Sequence, residues 1–217
     1  MQYTQLISML ILITSFTLVA NKKTKSCIKT FRVQSIFVVI ACAILGFNNL
    51  VNNEGFDILI VCLLVFLLKV IYIPMILNRT YSKIKYRVET YYFMNTPLLI
   101  LISCLIVASS YFLIASMSGL EQNGLNLLLV NSISTMMIGF LFMISRKKAI
   151  DQIIGYLVIE NGLFITAIFS TNGMPLIVDI GIFIDLISTI LITGVIVFKI
   201  SQTFDSTDID KLRDLRG

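Results

Sequence analysis

Residues 97–117 read PLLILISCLIVASSYFLIASM, a run without one charged side chain. A bilayer-spanning helix needs roughly 20 mostly apolar residues, and this run supplies them. A long helix of a water-soluble domain would carry a polar face, which is missing here. Working outward from it, comparable blocks cover Tyr3–Ala20, Phe31–Phe47, Phe56–Leu77, Leu125–Ser145, Ala149–Phe169 and Leu176–Ile200. The composition agrees: 57% of residues are hydrophobic, 13% are charged, and the mean hydropathy is +0.93. Such a chain lies outside the range of soluble domains. The sequence therefore predicts an all-α, polytopic membrane bundle of about seven helices.

The links between the blocks carry the orientation. Lys22, Lys23, Lys25 and Lys29 follow the first block, Arg79, Lys83, Lys85 and Arg87 the third, and Arg146–Lys148 the fifth. The intervening links hold no Lys or Arg. Of the 17 basic residues, all but Lys69 lie in or beside links on the side of the charged tail. Positive-inside asymmetry then predicts a cytoplasmic C-terminus and an external N-terminus. The first block lacks a basic n-region and is followed by a basic link, so it reads as a retained anchor, not a cleaved signal. The segment Arg79–Tyr92 reads as an interfacial stretch or an ordinary basic loop. The regions expected are a four-helix part over 1–124, a three-helix part over 125–200 and a charged tail over 201–217.

The net charge of +5 is spread over short links and forms no single surface, which argues against nucleic acid as a partner. The partners expected are the lipid bilayer and other membrane subunits. The chain has no histidine, and Cys27, Cys42, Cys62 and Cys104 form no close pair. Haem, iron–sulfur, nickel and structural zinc sites thus lack their usual ligands, and no cofactor is expected on this chain. Cys42, Cys62 and Cys104 lie inside apolar blocks and read as packing residues. Cys27 falls in a basic link, where lipidation or redox chemistry is the alternative to packing.

Chemistry is concentrated in ionisable groups inside the apolar blocks: Lys69, Glu160, Asp179 and Asp185. A charge at mid-bilayer costs at least ~2.5–3.5 kcal/mol on insertion scales, so it faces a partner or a water-filled cavity. With a rise of 1.5 Å per residue, Glu160 lies roughly 18 Å, Asp185 roughly 21 Å and Lys69 roughly 15 Å from the basic side. One belt near mid-membrane can hold all three, forming a proton or ion relay or a set of ion pairs that orient helices. Asp179 lies nearer the outer face and, six positions before Asp185, points to a different side. Asn161 supplies a further polar group at the depth of Glu160. Asp57 and Asp151, at block ends, are expected to meet the interface. Asn131, Ser132, Ser134 and Thr135 form a polar patch read as helix packing, and Gly155, Gly162, Gly181 and Gly194 are expected to allow close helix approach.

Three features occur together near the end of the chain: Gly155-Tyr-Leu-Val-Ile-Glu-Asn-Gly162, Asn172-Gly-Met-Pro175, and a last block with Asp179 and Asp185 before the tail Phe204–Gly217. This part resembles the hydrogenase-4 component E family, membrane subunits of group 4 nickel–iron hydrogenases and formate hydrogenlyase complexes. Its C-terminal part is similar to the small three-helix K-type subunit of complex I and to the C subunit of Mrp antiporters. The resemblance is most specific over residues 151–217. It implies a non-catalytic subunit that contributes buried carboxylates to ion translocation and braces antiporter-like subunits. Nickel–iron and iron–sulfur centres would then reside in peripheral partner subunits. It also implies that Asp185 takes the final-helix carboxylate position. Leu157 falls at the other glutamate position of that subunit, with Glu160 three residues on, on the same helix face. An Mrp-type cation/proton antiporter subunit and a scaffold subunit without a relay are the alternatives.

Overall fold

The computed structural model describes residues 2–51, 62–83, 95–117 and 124–170, together with residues 187, 188, 192 and 194. Among these the chain is helical and contains no strand. In chain order the helices are α1 (Gln2–Ala20), α2 (Thr24–Val51), α3 (62–83), α4 (Thr96–Met117), α5 (Gly124–Ser145) and α6 (Ala149–Ser170). Residues 187, 188, 192 and 194 are also helical. Five helices are long and apolar enough to cross a membrane, and Thr4–Ala20 is a shorter apolar stretch.

Two apolar cores lie one above the other, and the way they are populated shows how the helices run. α1 passes from Ile7 and Ile11 in one core to Leu18 and Val19 in the other. α2 returns from Ile28 and Phe31 to Val38 and Cys42. α3 goes from Val65 to Leu77, α5 from Leu128 to Phe142, and α6 from Ile154 back to Phe164. Leu99 at the start of α4 belongs to the same core as Leu77. Neighbouring helices thus alternate in direction, and Lys22–Lys23, Arg79 and Arg146–Lys148 all lie at one end of the bundle.

Where the helices differ from the apolar blocks, local chemistry explains the difference. α2 begins at Thr24, not at Phe31. Its first turns carry Lys25 and Lys29 on an outward face, which hydropathy alone reads as a link. Cys27 is consequently a helical core residue, with its thiol 3.8 Å from the Asn21 carbonyl. That burial leaves it unsuited to lipidation. Asp151 lies at a helix end as expected but is buried there, accepting a hydrogen bond from Thr24 Oγ1 at 3.2 Å. A carboxylate in the first turn of a helix also faces the positive end of the helix dipole.

Arg146 is the largest fully buried side chain described, only 2% exposed. Its Nη2 donates to the Asn21 carbonyl at 2.6 Å and reaches the Val19 carbonyl at 3.5 Å. These carbonyls lie at the C-terminal end of α1, where helices leave acceptors unsatisfied and a cation is favoured. The guanidinium also stacks 4.5 Å from the Phe142 ring centroid. A residue read from sequence as one of three equivalent basic loop charges is therefore a buried clamp between α1 and the α5–α6 turn.

The tightest helix pair is α5–α6, and glycine makes it possible. A Cβ on Gly155 would come within 2.9 Å of the Met143 backbone nitrogen and 3.0 Å of the Gly139 carbonyl oxygen. A Cβ on Gly162 would stand 3.0 Å from the Ser132 carbonyl oxygen. Small residues let helix backbones approach closely in a membrane. Gly139, not anticipated from sequence, completes the contact. Gly194 faces open space and plays no such part; Gly181 lies outside the described residues.

Two outcomes follow for stability. Gly155→Ala should lower the stability of the purified chain by about 1–3 kcal/mol through overpacking against backbone, while Gly194→Ala, on a helix and facing open space, should not lower it, as read from thermal melts in detergent. Arg146→Ala should depress the melting temperature far more than Lys147→Ala, because only Arg146 is buried among α1 carbonyls.

Candidate functional site

Between the two apolar cores the inward positions turn polar on five helices. They are Ser15 on α1, Gln34 and Ser35 on α2, Lys69 on α3, Asn131, Ser132, Ser134 and Thr135 on α5, and Glu160 and Asn161 on α6. In each helix this stretch lies between residues assigned to opposite cores.

Lys69 is the centre of that layer. It is 1% exposed, and its Nζ lies 3.9 Å from Glu160 Oε2, with Glu160 itself 5% exposed. Nζ also donates to Asn161 Oδ1 at 3.2 Å. The Phe164 ring, one turn beyond Glu160, presents its face 5.3 Å from the ammonium, a contact that strengthens when the cation is desolvated. Three successive inward positions of α6 thus meet one lysine. At an effective dielectric near 20, opposite charges about 4 Å apart attract by about 4 kcal/mol. A hydrogen bond from the ammonium adds ~1.5–3 kcal/mol. Together these are comparable with the cost of placing the two charges in an apolar layer.

The backbone of α3 is adapted at this point. Phe66–Tyr72 forms a π-helical segment, closed by the Ile73 N–H on the Leu68 carbonyl, and Lys69 lies in its middle. Pro74 follows after Ile73. A proline has no N–H to offer the carbonyl four residues back, and its ring crowds that carbonyl. The wider turn before it accommodates both effects. Such π segments are frequent at functional sites because they redirect a side chain without breaking the helix.

A line of hydrogen bonds continues from the site into α2 and α1. Asn161 Nδ2 donates to Gln34 Oε1 at 3.4 Å. Gln34 Nε2 donates to Ser15 Oγ at 2.8 Å and to the Ile11 carbonyl at 3.3 Å. The Ser15 hydroxyl donates to the same carbonyl at 3.1 Å. Nearby, Asn131 Nδ2 donates to Ser8 Oγ at 2.9 Å, tying α5 to α1. This is a specific cross-helix link within the patch read from sequence as packing.

Lys69 and Glu160, placed in one belt from the sequence, are therefore neighbours, and Asn161 meets the same lysine. Asp179, Asp185 and Asp57 lie outside the described residues. Gln34 went unnoticed in the sequence because it is uncharged; its only signal there was a long polar side chain inside an apolar block. Leu157 is fully buried in an apolar core, one turn from the polar layer that holds Glu160. Among the described residues no group of three or more Cys, Asp or Glu side chains is placed to hold a metal ion.

Comparison with known proteins supplies the family context. The family model of NADH-ubiquinone/plastoquinone oxidoreductase chain 4L matches residues 127–217. Hydrogenase-4 component E of Escherichia coli strain K12 is 24% identical over 183 residues, 84% of this chain and 81% of that protein. The Shigella flexneri protein of the same name matches to the same extent. An uncharacterized protein of Mycobacterium tuberculosis is 35% identical over 83 residues, but that match spans only 38% of either chain. No solved structure matches. The chain is thus similar to hydrogenase-4 component E over most of its length and to chain 4L in its C-terminal part.

Proposed function

We propose that this chain is a non-catalytic membrane subunit of a complex I-related, hydrogenase-type assembly, and that Lys69 and Glu160 form a charge station for proton or ion translocation. The observation that carries the role is the 3.9 Å pair of opposite charges enclosed in a polar layer between two apolar cores. The similarity to hydrogenase-4 component E and to chain 4L supports the assembly.

The pair suits such a role because each charge depends on the other. An ammonium and a carboxylate in an apolar layer are tolerable together and costly apart. A charge moving in a neighbouring subunit therefore shifts the balance between them, and the Glu160 carboxylate takes up the translocated proton and then releases it onward, or changes partner, in response. Asn161 keeps the ammonium in place while that happens. Asp185 and Asp179, on the seventh helix of this reading, extend the path. Antiporter-like subunits flank the chain, and nickel–iron and iron–sulfur centres reside in peripheral partners, with no cofactor on the chain itself. The membrane is the plasma membrane of a prokaryote, crossed seven times, with the N-terminus outside and the tail in the cytoplasm. The basic residues gathered at one end of the bundle support that orientation.

Ion translocation by the purified native complex tests the role. Glu160→Gln and Lys69→Met should each lower the ions moved per redox turnover by about tenfold or more, as expected for leaving one charge of a buried pair alone, with subunit content unchanged. Unaltered translocation in a fully assembled complex would reduce the pair to a structural cross-link. Subunit identification by mass spectrometry decides the assembly: antiporter subunits without redox partners would favour an Mrp-type complex. For the topology, green fluorescent protein fused after Gly217 should fluoresce, and alkaline phosphatase at the same point should be inactive.

A further inference from the structure

We infer that Gln34, on α2, is a positioning residue for the charge station: it fixes which face of the Asn161 amide meets Lys69. The inference rests on the reading of Lys69 and Glu160 given above and assigns a part in it to the N-terminal helices.

The direction of each hydrogen bond carries the argument. A backbone carbonyl can only accept, so the Ile11 carbonyl determines that the nitrogen of the Gln34 amide, not the oxygen, faces α1. The Ser15 hydroxyl donates to that carbonyl and so offers its oxygen to the same nitrogen. Gln34 Oε1 is thereby turned towards α6, where it accepts from Asn161 Nδ2. Asn161 in turn presents Oδ1 to Lys69 Nζ. Every donor in the line points away from Lys69 and every acceptor towards it. Were the Gln34 amide reversed, Asn161 would have to turn its NH2 to an ammonium, donor against donor.

The same directionality says what the line does not do. It consists of two amides and a hydroxyl and ends on a peptide carbonyl, which has no proton to give. The line orients a cation and does not lead protons away from it. Gln34 and Ser15 are both buried, so the orientation holds in a low-dielectric layer where a wrong polarity is costly.

The test uses Gln34→Leu, Gln34→Glu, Lys69→Met and the double variant Gln34→Leu/Lys69→Met, each in the native complex and as the full chain in lipid nanodiscs. Gln34→Leu should lower ions moved per turnover by about fivefold, the scale of one lost buried hydrogen bond, at unchanged subunit content. Gln34→Glu, which loses the nitrogen that bonds the Ile11 carbonyl and Ser15, should be impaired by about fivefold or more as well. The fall in melting temperature caused by Gln34→Leu should shrink to less than about half in the Lys69→Met background, because side chains linked through a shared partner are not additive. Equal falls in both backgrounds, normal coupling in Gln34→Leu, or normal coupling in Gln34→Glu would each overturn the inference. If Lys69→Met alone keeps normal coupling, the translocation role fails, and the melting-temperature comparison still decides whether Gln34 orients Lys69.

Discussion

A single ammonium group organises the middle of this bundle. Lys69 is almost fully enclosed, and an enclosed charge tolerates few arrangements around it. Glu160 supplies the opposite charge, Asn161 an acceptor and Phe164 an aromatic face, all from α6. α3 widens into a π turn where Lys69 leaves the backbone. α2 and α1 hold the amide that holds the lysine. The apolar cores above and below exclude water from the layer, which strengthens each of these contacts.

The contacts that hold the bundle together are of different kinds. At the basic end Arg146 closes over the carbonyls of α1, and Asp151 meets Thr24, so four helix ends are tied together by side chains. Along α5 and α6 the tie is backbone against backbone through Gly139, Gly155 and Gly162. α4 is different again. Leu101, Leu105, Phe112 and Leu113 are all exposed, as suits a helix that faces lipid or a neighbouring membrane subunit.

How much of this the sequence discloses depends on the kind of interaction. The apolar blocks place α1, α4, α5 and α6 to within a residue or so, because hydropathy reports what must enter the bilayer. It fails at the start of α2, where Lys25 and Lys29 ride on helix turns whose other face buries Cys27 and Ile28. Lys69 and Glu160 are conspicuous as charges among apolar residues, and depth along the helix puts them at similar heights. Their pairing is not legible, because it depends on helix rotation and on a π turn that no periodicity announces. Gln34 is silent for the same reason, and Arg146 is masked by Lys147 and Lys148 beside it. Asp185 and Asp179 stand out in the sequence on the same grounds as Glu160.

The partners of Lys69 come late in the chain, Asn161 lying 92 residues after it. At synthesis rates of about 5–20 residues per second, α3 enters the membrane roughly 5–20 s before α6 exists. During that interval the lysine has neither its carboxylate nor its amide and must reach for the headgroups or stay beside the insertion machinery. Gln34 and Ser15, made earlier, are already present to receive α6. The Lys69 site is thus completed by the sixth helix, and assembly of this bundle includes a waiting state that its finished structure conceals.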